Sequence, residues 1–302
     1  RQAIKQGPID NSKIAETHIA GAVKLLKVVD KMNHIDARTQ ASLKSGVMEL
    51  LNLSEEEMVQ IFTTIHKDGW NDPLTWAREY LSDCIVDERL DYIQMFHLSR
   101  RLNGTDLKAG SNLKELLLEE SPLSNFFRGY GVTFRPNEDH IDLYYNGELQ
   151  PLDDEFRYEN GNIYYLRSRF GYNSGSQDYC INGFAFRPSL ENNSYFRQLS
   201  RCPELVENIG WLLDIRGMRM DYYNRSKYYC IEYLIPMSEV IFDENNPPEN
   251  NREKTIEILS QAILKLYYEW RISGSAHDEN LILRLSDNAN IKPEWFVKAE
   301  EL

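Results

Sequence analysis

Three short runs combine strand-like apolar residues with side chains able to do chemistry: Met95 to Arg101, Ile181 to Pro188, and Cys230 to Phe242. Glu232 is the most conspicuous member. A carboxylate inside the run Cys230-Ile231-Glu232-Tyr233-Leu234-Ile235 is disfavoured by strand propensity and costly to bury without a partner. His97 stands in a second apolar run, where its ordinary role is a satisfied core residue. Arg100 and Arg101 follow it and suit phosphate geometry, although surface positions are the commoner use of both. Phe184 and Phe186 alternate with Ala185, so on a strand their rings share one side, and core packing is their default.

Most standard signatures are absent. The chain has no GxxxxGK[ST] loop, no GxGxxG after a strand, no HExxH and no GxSxG elbow. The six histidines are scattered without metal-ligand spacing, so no metal site is expected. The four cysteines form no CxxC pair, which argues against a zinc ribbon or disulfide framework and for a reducing, cytoplasmic setting. With 34 basic and 47 acidic side chains the formal charge of the 302 residues is −13. Counterion release then gives little help to generic nucleic-acid binding, so any such role must rest on a local site. No apolar run approaches the ~18 residues of a membrane span, and no signal peptide is evident.

The elements that would position these residues fall into three zones. Residues 1–90 read as a helical N-terminal region, with apolar spacing at Ile14, Ile19, Val23, Leu26 and Val29 and a second candidate over Ser42 to Leu53. Ser54 and Glu57 form a capping box that predicts a helix from Glu55 to His66. Asp72-Pro73 predicts another, through about Ser82. Residues 91–250 read as a mixed α+β domain. Strands are predicted at Tyr92–Ser99, Val132–Arg135, Ile141–Tyr145, Ile163–Ser168, Tyr179–Phe186 and Tyr228–Ile235, and helices at Ser111–Gly129 and about Asn193–Leu213. Asn146-Gly147 and Asn160-Gly161 are turn signals. Tyr164, Tyr165, Arg167, Arg169 and Tyr172 form an aromatic–basic cluster, and Gly171–Asp178 is a loop able to cover a site. Residues 251–302 begin with an amphipathic helix, Thr255 to Trp270, whose apolar stripe must pack back on the body.

The order of these motifs resembles the ADP-ribosyltransferase superfamily, in its His–aromatic–Glu branch. His97-Leu98-Ser99 matches the first motif, Gly183-Phe184-Ala185-Phe186 the second, and Glu232-Tyr233-Leu234-Ile235 with Glu239-Val240 the third. Together they cover about half of the chain. Ala185 stands where the family has its stacking tyrosine, which passes that role to Phe184 or Phe186; Leu98 stands where the family has a small residue. The resemblance implies a split β-sheet core and NAD as substrate. It implies Glu232 as the catalytic residue and His97, Leu98, Ser99, Phe184 and Phe186 as the dinucleotide-binding residues. The acceptor would be a protein or a nucleic acid, a regulatory protein partner is allowed, and the natural setting in a bacterium would be a toxin or defence effector. This reading predicts that His97, Glu232 and one of Phe184 or Phe186 converge in one cleft within ~10 Å. Two other readings compete: a non-enzymatic acidic interaction protein of immunity or antitoxin type, and a metal-dependent hydrolase using scattered carboxylates.

Overall fold

The computed structural model describes residues 33–69, 71–84, 90–152, 161–172, 178–243, 247–271 and 280–302. The stripe from Ile14 to Val29, Asn160 and most of the 171–178 loop lie outside the described residues. Three helices come first: α1 (Gln40–Leu50), α2 (Glu55–Asp68) and α3 (Pro73–Cys84). The capping box at α2 forms as the sequence requires, with the Ser54 hydroxyl accepting from the Glu57 amide and the Glu57 carboxylate accepting from the Ser54 amide. Asp72 accepts from the Thr75 amide at 3.1 Å ahead of Pro73.

The strands are β1 (Tyr92–Leu102), β2 (Val132–Asn137), β3 (His140–Tyr145), β4 (Glu148–Leu149), β5 (Asn182–Phe184), β6 (Ser226–Pro236), β7 (Ile241–Phe242), β8 (Ile282–Arg284) and β9 (Phe296–Glu301). Six of them form an antiparallel sheet in the order β7-β8-β5-β1-β6-β9, and β2-β3-β4 form a second. The β3–β4 hairpin turns at Asn146-Gly147, both in the left-handed region that a two-residue turn demands. The central pair β1–β6 is in register from Tyr92↔Pro236 to Leu102↔Ser226. Beside it, β5 comes so close that a Cβ on Gly183 would stand 2.7 Å from Met95 Cγ and 2.9 Å from the Phe96 carbonyl oxygen. A glycine there permits the Phe96↔Phe184 pairing.

The remaining helices are α4 (Leu113–Leu118), α5 (Pro122–Arg128), α6 (Gly161–Arg169), α7 (Ser194–Leu199), α8 (Glu204–Leu212), α9 (Met218–Asn224) and α10 (Asn251–Arg271). The predicted helices Ser111–Gly129 and Asn193–Leu213 each break in two, at Ser121-Pro122 and at Pro203, where proline cannot continue a helix. The predicted strand Ile163–Ser168 is instead helix α6, which buries Ile163, Leu166 and the following Phe170. The predicted strand Tyr179–Phe186 shortens to Asn182–Phe184.

Two cores result. The larger gathers α1 and α2, the sheet and α10; the smaller gathers α4–α6, α8, α9 and the β2–β3 hairpin. The described residues between 33 and 90 therefore share a core with the sheet. Helix α10 is not one-sided: Ile256, Glu257, Ile258, Leu259, Ser260 and Ala262 to Tyr267 are all buried, and the strands after it, β8 and β9, pair with β5 and β6. β1 is common to both cores, with Ile93 to Leu98 in the first and Leu102 in the second.

Candidate functional site

The pleat of β1 and β6 separates the two residues that the resemblance would unite. Residues directly opposite one another on antiparallel strands share a face, and neighbours along a strand alternate. Glu232 lies opposite Phe96, so it shares the face of Gln94 and Phe96. His97 lies opposite Ile231, on the other face with Ser99 and Arg101. The expected convergence of His97 and Glu232 in one cleft does not occur, because they stand one residue out of phase. Phe184 pairs with Phe96 and so shares the Glu232 face, and Phe186 is buried beyond the end of β5. Leu98 is buried in the larger core.

Glu232 is 1% exposed. Gln94 Nε2 donates to its Oε1 at 3.1 Å, Arg38 Nε stands 3.8 Å from the same oxygen, and Lys298 Nζ stands 3.6 Å from Oε2. Oε2 has no hydrogen-bond partner among the described residues. Burial pushes the Glu232 carboxyl above its ordinary value, with Arg38 and Lys298 opposing that rise. The carboxylate borders a cavity of about 570 Å³, together with Arg38, Thr39, Ser42, Phe96, Arg187 and Lys298. Asp36 also faces the cavity; burial works against its charge, but the Arg38 hydrogen bonds outweigh that and hold its carboxyl below the ordinary value. The Ala37 amide donates to Gln94 Oε1 at 2.6 Å, so the segment before α1 is fastened over the carboxylate. Asp36, Arg38 and Lys298 were not legible as site residues: they lie far from Glu232 in sequence, and only the sheet register and the segment before α1 bring them together.

His97 borders a different cleft, about 510 Å³, which runs along β1 where β5 has ended. Ser99, Leu98 and Phe184 line it too. His97 Nδ1 donates to the Asn182 carbonyl at 2.6 Å, and Nε2 accepts from Arg101 Nη2 at 3.1 Å. Burial, then the Arg101 charge, push the imidazole down to about 4. A histidine that stays neutral in the fold but protonates near 6.5 when unfolded costs stability as pH falls through that window. Stability should therefore decline between pH ~6.5 and about 4, and His97→Asn should flatten that decline in urea-unfolding midpoints measured across the range. An unchanged slope would remove His97 as its source.

Arg100 is not free for a ligand. It donates to the carbonyls of Ser200, Tyr223 and Ser226 and stacks on the Tyr223 ring, fixing α7 and α9 to β1. In the aromatic–basic cluster, Arg167 holds the Leu152 carbonyl and Arg169 pairs with Asp178 at 2.6 Å. All four cysteines are free thiols, and burial pushes those of Cys180 and Cys230 up to about 11. Among the described residues no three His, Cys, Asp or Glu side chains are grouped to hold a metal ion, and no helix is long and apolar enough to cross a membrane. No family model, curated protein or solved structure matches the chain.

Proposed function

We propose that the chain is an enzyme of N-glycosidic bonds with Glu232 as its catalytic carboxylate, and that the bond is the nicotinamide–ribose bond of NAD, as in an ADP-ribosyltransferase. The observation that carries this reading is a buried carboxylate at the wall of a cavity about 570 Å³ in volume, its Oε2 without a hydrogen bond among the described residues. That volume suits a nucleoside, half of the dinucleotide. In the reaction the nicotinamide leaves with the bonding electron pair as a neutral ring, and positive charge develops on the ribose. Glu232 stabilises that charge, the acceptor bonds to the anomeric carbon, and its proton passes to the carboxylate or to water. Arg38, Arg187 and Lys298 supply cations beside the cavity for the diphosphate. His97 and Ser99 have no part in this version of the reading, since they point to the other face. The formal charge of −13 favours a protein acceptor over nucleic acid.

The test is incubation of the purified protein with NAD labelled in the adenine and in the nicotinamide moiety, with and without cell lysate. Release of free nicotinamide with label on a macromolecule or as free ADP-ribose is the expected result. Failure of both, with no NAD binding by titration, rejects the reading. The interaction-protein alternative predicts instead that Glu232→Ala leaves biological activity intact while surface acidic changes abolish it.

A further inference from the structure

The cleft along β1 has features that the Glu232 reading does not use. It lies at the junction of the two cores, the kind of place where ligand sites concentrate. Besides Arg100, which is spent on backbone carbonyls, two arginines from different elements line it, Arg101 from β1 and Arg169 from α6. The Nε–H of each is buried and has no partner among the described residues. Arg169 balances its charge against Asp178. Among the described residues Arg101 has no carboxylate partner, and it donates to Nε2 of His97, which the Asn182 carbonyl holds in the Nδ1–H form. A guanidinium in that position is oriented but not neutralised, and a buried donor without an acceptor is costly to keep. Leu113, Leu116 and Leu199 make part of the wall apolar, Glu204 and Asp243 line it as well, and the exposed Tyr195 ring meets Phe184 with centroids 6.4 Å apart.

We propose that this cleft is a binding site for a phosphate monoester of mononucleotide size, separate from the Glu232 cavity. Donors arriving from a strand and from a helix call for an anion with oxygens in more than one plane, which tetrahedral phosphate has and planar carboxylate lacks. The apolar wall and the Phe184–Tyr195 pair receive the body of the ligand, and the volume of about 510 Å³ matches a nucleoside carrying one phosphate. His97 is a positioning residue: its lone pair at Nε2 fixes the Arg101 guanidinium. No residue lines both this cleft and the Glu232 cavity, so the two are occupied independently.

Calorimetric titration of the full chain with AMP and UMP, each beside its nucleoside, tests the proposal. At least one monophosphate should bind with a Kd below 1 mM and at least tenfold tighter than its nucleoside. Arg101→Gln and Arg169→Gln, each confirmed as folded by circular dichroism, should weaken it tenfold or more, and Arg101→Lys should recover part of the loss. Glu232→Gln should bind as the wild type does, whatever the outcome of the NAD assay. The proposal is overturned if neither monophosphate binds, if nucleoside and monophosphate bind alike, or if both folded arginine variants keep wild-type affinity. Loss of binding in a folded Glu232→Gln protein would show one shared site and overturn it as well.

Discussion

Glu232→Gln should slow nicotinamide release about 100-fold or more, the scale on which one preorganised electrostatic group acts. The amide keeps the size of the side chain and can still accept from Gln94, but it carries no negative charge to meet the cation forming on the ribose. NAD affinity should change much less than turnover, because the missing interaction strengthens only as charge develops. The same substitution should raise thermal stability at neutral pH. The Glu232 carboxyl is held above its ordinary 4.5 by burial, so the ionised form is the one the fold disfavours. That cost is absent below the unfolded-state value and is fully present above the folded one, so the stability gain of the variant should shrink as pH falls toward 4.5. A variant that turns over NAD at the wild-type rate would remove Glu232 from the chemistry. Falling activity in an unfolded variant is separated by the melting curve, which should rise.

Arg78→Met should destabilise the whole chain by about 3 kcal/mol. Arg78 on α3 grips Glu257 on α10 with two parallel bonds, Nε to Oε2 at 2.6 Å and Nη2 to Oε1 at 2.8 Å. Glu257 is 6% exposed and, among the described residues, would keep only Gln261 as a hydrogen-bond donor. Because Arg78 itself is 37% exposed, the low end of the range for breaking a buried pair applies. Adding Glu257→Leu should restore most of the loss, since the stranded charge disappears with it. Denaturant midpoints of the single and double variants make the comparison, and an unaffected Arg78→Met protein would show that the pair contributes nothing.

How much of this was legible in the sequence depends on range. Signals closed within four residues came through: Ser54 with Glu57, Asp72 with Pro73, Asn146 with Gly147. The long strands β1 and β6 were also legible, being rich in β-branched and aromatic residues. Ile163 to Ser168 misled because Ile-Tyr-Tyr is strand-like in propensity, while the spacing of Ile163, Leu166 and Phe170 already had helical period. The short strands β7 and β8 carry too few residues for any periodicity. The greatest loss was phase. Nothing local reveals which residue of β6 stands opposite His97, and a shift of one residue moves a side chain through the sheet.

The position of β9 has a consequence for how the chain is made. β6 leaves the ribosome about sixty residues before β9, which covers its outer edge and brings Lys298 opposite Glu232. At about 5–20 residues per second this exposes a bare hydrogen-bonding edge on the nascent chain for roughly 3–12 seconds. During that interval the edge is a template for any other extended segment, and the buried carboxylate next to it has not yet met its lysine. Completing the sheet and completing the charge balance around Glu232 are thus a single event, delayed until β9 follows β6.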